Sequence, residues 1–120
     1  SATVNQVPEL AVYSGQDSET WPMMAVGAVG VVSVVSHLAG ESVRALVDAA
    51  AGGRMDEARS LHHSLLPLCD ACFLEPNPQP VKGALNALWE PVGAPRLPLV
   101  PASEATIGAV KEALGSLQGL

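Results

Sequence analysis

No Asp, Glu, Lys or Arg occurs between Thr20 and Gly40. A charge-free span of about 20 residues is long enough to cross a bilayer as a helix. Its interior argues otherwise. Pro22, Gly27, Gly30, Ser33, Ser36 and His37 interrupt it, and Val31-Val32-Ser33-Val34-Val35 is β-branched. Such a run suits a strand, because branched side chains pack well on a pleated surface. The span therefore reads as a buried helix followed by a strand over Val29–Val35, apolar on both faces. Strands without alternation belong to parallel sheets covered on both sides.

An earlier apolar run, Leu10 to Ser14, is closed by Gly15 and reads as another buried strand. Gln16-Asp17-Ser18 supplies N-cap chemistry for the helix between the two strands, and Gly27 ends that helix. The rest reads as helical. One helix covers Glu41 to Ala51 and stops at Gly52-Gly53. A longer one, about Met55 to Phe73, contains Pro67, which removes a ladder bond and predicts a kink. A third runs from Val81 to Leu88. The last is capped by Ser103 and carries Ile107, Val110, Leu114 and Leu117 on one stripe. Two buried parallel strands leave both outer edges unpaired, so they do not make a stable sheet alone. The expected fold class is α/β and mostly helical. It comprises the last two βα units of a (β/α)8 barrel (residues 1–52) and a C-terminal helical extension (residues 53–120).

Composition narrows the partners. Six basic against twelve acidic residues give a net charge of −6, which offers no footprint for a phosphate backbone and argues against nucleic acid. Hydrophobic residues reach 48% and charged ones only 15%, against roughly 25% in an ordinary soluble domain. Disorder is excluded by that balance, and part of the apolar surface is expected to meet a partner. Two cysteines make no disulfide scaffold and no signal-peptide pattern is present, so the expected compartment is the cytosol, with no membrane association. The chain begins Ser1-Ala2-Thr3, which fits a cleaved or excised piece.

Few residues carry chemistry of their own. Cys69-Asp70-Ala71-Cys72 follows His62-His63, but on one helix His62 and Cys69 lie about 10 Å apart along the axis. Zinc ligands must all lie within about 2.3 Å of the metal, so core packing is the better reading and no metal is expected. Gly27-Ala28-Val29-Gly30 lies between a helix and a strand, the reverse of a dinucleotide loop, and no cofactor is expected. His37 follows the second strand and so would stand on the catalytic face of a barrel, or would simply hydrogen-bond within its loop.

Four segments together carry a family resemblance. They are Val12-Tyr13-Ser14-Gly15-Gln16-Asp17 and Ala25 to Val34, then Phe73-Leu74-Glu75-Pro76-Asn77-Pro78-Gln79-Pro80-Val81-Lys82 and Arg96-Leu97-Pro98-Leu99-Val100-Pro101-Ala102-Ser103-Glu104. From Leu10 onward the chain resembles the C-terminal part of the dihydrodipicolinate synthase family. The Glu-Pro-Asn-Pro-x-Pro-Val-Lys and Arg-Leu-Pro-Leu-Val-Pro segments favour it over the related N-acetylneuraminate lyases and sugar-acid aldolases. The resemblance implies a lyase with a TIM barrel and helical extension, assembled as a cytoplasmic homotetramer. It implies condensation of pyruvate with aspartate semialdehyde through a lysine Schiff base, in lysine and diaminopimelate biosynthesis.

The family's Schiff-base lysine and proton-relaying tyrosine belong to strands ahead of this segment, so no catalytic residue is expected here. Two positions carry over as substrate-binding. Val32 matches the residue whose backbone carbonyl contacts pyruvate, and Gly15 matches a glycine at the pocket rim. Gln16 departs from the family's Gly-Asp-Asp pattern, so its side chain is assigned no contact with the second substrate. The isolated chain is expected to be inactive, its partner being the missing barrel segment or further copies of itself. A non-catalytic helical interaction module is the reading from another class.

Overall fold

The computed structural model describes residues 2–118. A short helix α1 (Ala2–Gln6) leads to strand β1 (Tyr13–Ser14), a 3-10 turn (Asp17–Glu19), helix α2 (Thr20–Ala25) and strand β2 (Gly30–Val31). Four helices follow: α3 (Ser36–Ala51), α4 (Met55–Ala71), α5 (Gln79–Leu88) and α6 (Glu104–Gln118). The two strands pair in parallel, Tyr13 opposite Gly30 and Ser14 opposite Val31. The intervening helix is the crossover that parallel pairing requires.

The strands are shorter than the sequence suggests. The seven-residue strand expected over Val29–Val35 is two residues long, and it is not buried on both faces. Val29 is 50% exposed and Val32 73% exposed, whereas Val35 is fully buried and already stands at the start of α3. The expected Leu10–Ser14 strand likewise shrinks to Tyr13–Ser14. Each strand has one neighbour, so nothing within the described residues extends the ladder.

Helix termination follows the sequence closely. Gly27 has φ +109° and ends α2, with Gly27 N–H donating to the Met24 carbonyl and Ala28 N–H to that of Met23. Gly53 (φ +73°) repeats this at α3, where Arg54 N–H reaches the Ala49 carbonyl. Both are the double-bonded closure that a left-handed residue permits after a helix. At the start of α6, Ser103 Oγ accepts from Thr106 N–H at 3.2 Å, the cap read from sequence. Helix α4 is continuous through Pro67, and the non-helical residue is instead Ala39 (φ −135°, ψ 45°), where two helices merge into α3. The early helix α1 was not expected; its Val4 side chain packs over Gly27, where an added Cβ would lie 2.9 Å from Val4 Cγ1.

The core sits among the helices. Helix α4 packs against α3, α6, α2 and the 3-10 turn, and α5 against α6. Leu46, Leu68, Val110, Val35 and Cys72 are sealed from solvent. Gln79, at the start of α5, reaches across to hold the proline-rich 91–101 crossing, its Nε2 donating to the Val100 carbonyl at 2.6 Å. No described helix is long and apolar enough to cross a membrane.

Candidate functional site

Parallel pairing puts the C-terminal ends of both strands side by side. Val32 N–H donates to the Ser14 carbonyl at 2.8 Å, which sets Val32 beside the Gly15 turn. Both residues are exposed, and an added Cβ on Gly15 would meet nothing within 4 Å. Among the described residues the Val32 carbonyl accepts no hydrogen bond. The structure thus brings together the two positions singled out in the sequence, and leaves one backbone acceptor unoccupied between them.

What holds this end in shape is a buried carboxylate. Asp17 is 7% exposed and sits just past the Gly15 turn. Its Oδ2 accepts from Val34 N–H at 2.9 Å and Val35 N–H at 3.2 Å, and its Oδ1 accepts from the Ser33 hydroxyl. Ser33 Oγ accepts in turn from Ser36 N–H at 2.8 Å. Asp17 therefore does not cap its own helix, as the sequence suggests; it satisfies orphan amides ahead of α3. A negative group there is also favoured by the helix dipole. Ser14, fully buried, ties its own turn by donating to the Gln16 carbonyl at 2.7 Å. Sequence reasoning missed Asp17 and Ser33 as a pair. The available signal was a serine inside an otherwise apolar valine run.

The other candidates lie elsewhere. His37 is exposed in the first turn of α3, and its backbone N–H bonds to the Val34 carbonyl. His62 packs against Trp21 in a tilted arrangement with ring centroids 5.4 Å apart, and Arg59 lies over the same indole. Burial, helped by neighbouring His63 and opposed by Glu19, holds the His62 pKa below its ordinary value. Cys69 in α4 and Cys72 at its C-cap are free and buried, and among the described residues no group of three or more potential ligands is gathered for a metal. Burial first, and then the Asp17 carboxylate, push the Cys69 thiol up to about 12 and that of Cys72 to about 11. Neither thiol is a nucleophile at neutral pH, since only the thiolate reacts. Lys82 donates to the Ala94 carbonyl at 3.1 Å from α5, and Lys111 is exposed on α6. Neither lies on a strand.

The sequence matches the dihydrodipicolinate synthetase family over residues 2–117. This chain belongs to that family. The 4-hydroxy-tetrahydrodipicolinate synthase of Synechococcus elongatus is 52% identical over 106 residues, 88% of this chain and 34% of the relative. The synthase of Dehalococcoides mccartyi is 42% identical over 112 residues, 92% of this chain and 38% of its own. Among solved structures, the dihydrodipicolinate synthase of Thermotoga maritima superposes with a TM-score of 0.92 at 37% identity, covering 98% of this chain and 40% of that one. The Acinetobacter baumannii enzyme, solved in complex with pyruvate, gives 0.88 at 30% identity over 99% and 41%. The chain spans about a third of the length of the curated relatives it matches. Its fold is that of the closing βα units of a family TIM barrel with the helical extension, and β1 and β2 are the barrel strands this segment contains.

Proposed function

We propose that this chain forms the C-terminal part of a 4-hydroxy-tetrahydrodipicolinate synthase, a lyase that condenses pyruvate with aspartate semialdehyde through a lysine Schiff base. On this reading residues 1–52 complete the barrel, residues 53–120 form the extension, and the assembled enzyme is a cytoplasmic homo-oligomer. The observation that carries it is the parallel register that puts Gly15 and the free Val32 carbonyl together at the C-terminal ends of β1 and β2. That end is where TIM-barrel enzymes hold their chemistry. The Val32 carbonyl and the Gly15 turn make one wall of a pyruvate pocket. A backbone contact makes no demand on the valine side chain.

The wall orients pyruvate and does not activate it. Schiff-base formation joins an unprotonated amine to the ketone carbon and expels water, so it needs a lysine stripped of its proton by burial or by nearby cations. Lys82 is held by a backbone carbonyl, and Lys111 is followed in the chain by Glu112. Neither meets the requirement, and the chain alone is inactive.

Borohydride reduction with pyruvate, read by intact-mass spectrometry, tests this. The chain alone gains no mass. A chimera in which residues 2–118 replace the matching segment of the Thermotoga maritima enzyme gains one reduced pyruvyl adduct, on a lysine of the grafted-on barrel. An adduct mapped to Lys82 or Lys111, or a folded chimera that traps nothing, overturns the reading.

A further inference from the structure

We infer that Asp17 is a positioning residue for pyruvate: its buried carboxylate fixes the Ser33–Val35 turn so that the Val32 carbonyl stays aimed beside Gly15. The inference rests on the proposed function and adds to it the residue that sets the geometry of the pocket wall.

Val32 has little of its own to hold it in place. It is 73% exposed, so packing does not hold it in this chain. Only one hydrogen bond, from its N–H to the Ser14 carbonyl, fixes it to β1. A single bond leaves the next peptide plane free to rotate, and that plane carries the Val32 carbonyl. The next three residues are all held by one side chain. Asp17 takes the Ser33 hydroxyl on one oxygen and the Val34 and Val35 amides on the other. Ser33 Oγ also receives the Ser36 amide, so the clamp continues into the first turn of α3. Asp17 itself stands two residues after Gly15, and Thr20 Oγ1 donates to its carbonyl at 2.7 Å. The turn at one strand end is thereby locked to the turn at the other. None of the ion pairs among the described residues includes Asp17, so its buried charge is balanced by donors alone. A buried charge satisfied only by hydrogen bonds is costly to disturb, which makes the clamp rigid. Substrate-positioning groups misplaced by even about 1 Å lose large factors in rate, so rigidity here has a kinetic consequence.

The Thermotoga chimera supplies the test, with active sites counted by borohydride trapping and pyruvate varied at saturating aspartate semialdehyde. Asp17→Asn keeps the shape but removes the charge and one acceptor oxygen, so every bond left in the clamp is weaker. It is expected to raise the KM for pyruvate about tenfold, the size of one lost charge-assisted bond, while kcat per trapped site changes less than about twofold. Ser33→Ala, a milder change, raises KM about threefold by the same reasoning, and Ser33→Thr restores it because the hydroxyl returns. A purely structural role would lower the number of trapped sites and leave the KM of the survivors unchanged. That outcome overturns the inference, as does a KM within twofold of the parent in both Asp17→Asn and Ser33→Ala. If Asp17→Asn does not fold, the Ser33 pair decides alone. An unsubstituted chimera that traps no pyruvate overturns the proposed function, and this inference with it.

Discussion

The helices α3–α6 and the strand ends around residues 13–35 are stabilised in opposite ways. The helices close over apolar side chains: Leu46, Leu68 and Val110 are almost or entirely shielded by their neighbours. At the strand ends the apolar groups face outward and the polar ones are hidden. Tyr13, Val29 and Val32 are each at least half exposed, while Ser14, Asp17 and Thr20 are buried and hydrogen-bonded. On the proposed reading, the rest of the barrel covers that exposed apolar face. The helical region has its core; the sheet end has its shape but only a share of its core. Hydrogen bonds can hold that shape without cover because each contributes about 1 kcal/mol with little dependence on area.

The sharpest way to break this contrast is to cut into each region. Leu68→Ala removes a fully buried side chain from the last turn of α4 and should cost about 2–5 kcal/mol, measured by urea unfolding. A loss under 1 kcal/mol would mean that the helices are not the chain's stable core.

The second effect depends on pH. Both thiols have folded pKa values raised above the ordinary 9.0, so the folded chain keeps them protonated where the unfolded chain ionises them. Their contribution is complete below pH 9 and declines as pH rises from there toward 11–12. The thermal midpoint should fall between pH 8 and pH 10.5, and a Cys69→Ala/Cys72→Ala variant should show a shallower fall. Equal slopes would place the thiols outside the core.

The smallest effect is expected at the sheet end. Val32→Asp on this chain alone should shift stability by less than about 0.5 kcal/mol, as for an exposed site. In a complete barrel on the proposed reading, the same change should be severe, because there the charge loses its water. Similar losses in both settings would erase the distinction between the two regions.

Most helices were legible in the sequence because their signals are local. Gly27 and Gly53 stop helices within a turn of where the pattern ends, and Ser103 caps the next residue onward. The strands were harder. The valine-rich run from Val29 to Val35 reads as a buried strand, but pairing extends only as far as neighbours exist, and Ser33 turns the chain into α3 after two paired residues. The break at Ala39 lies beside Gly40, just ahead of the Glu41 start read from the pattern; what the pattern did not show is the extra turn from Ser36 that runs into it. At the strand ends, the family resemblance singled out Gly15 and Val32, and the parallel register sets those two positions side by side. Asp17 was misread because capping rules look two or three residues ahead, while its partners lie 16 to 18 residues away.

That same separation has a bearing on how the segment folds. Joining Asp17 to Ser33–Val35 closes a loop of fewer than 20 residues, and the entropy of closure grows only slowly with length, by about 0.6 kcal/mol per doubling. Most of the loop is itself ordered by α2 and its glycine stop, which lowers the number of states lost on closure. The clamp can therefore form as an early, low-contact-order event, ahead of the slower long-range pairing that closes a barrel. A strand end that is already correctly bent when its neighbours arrive needs only to be docked.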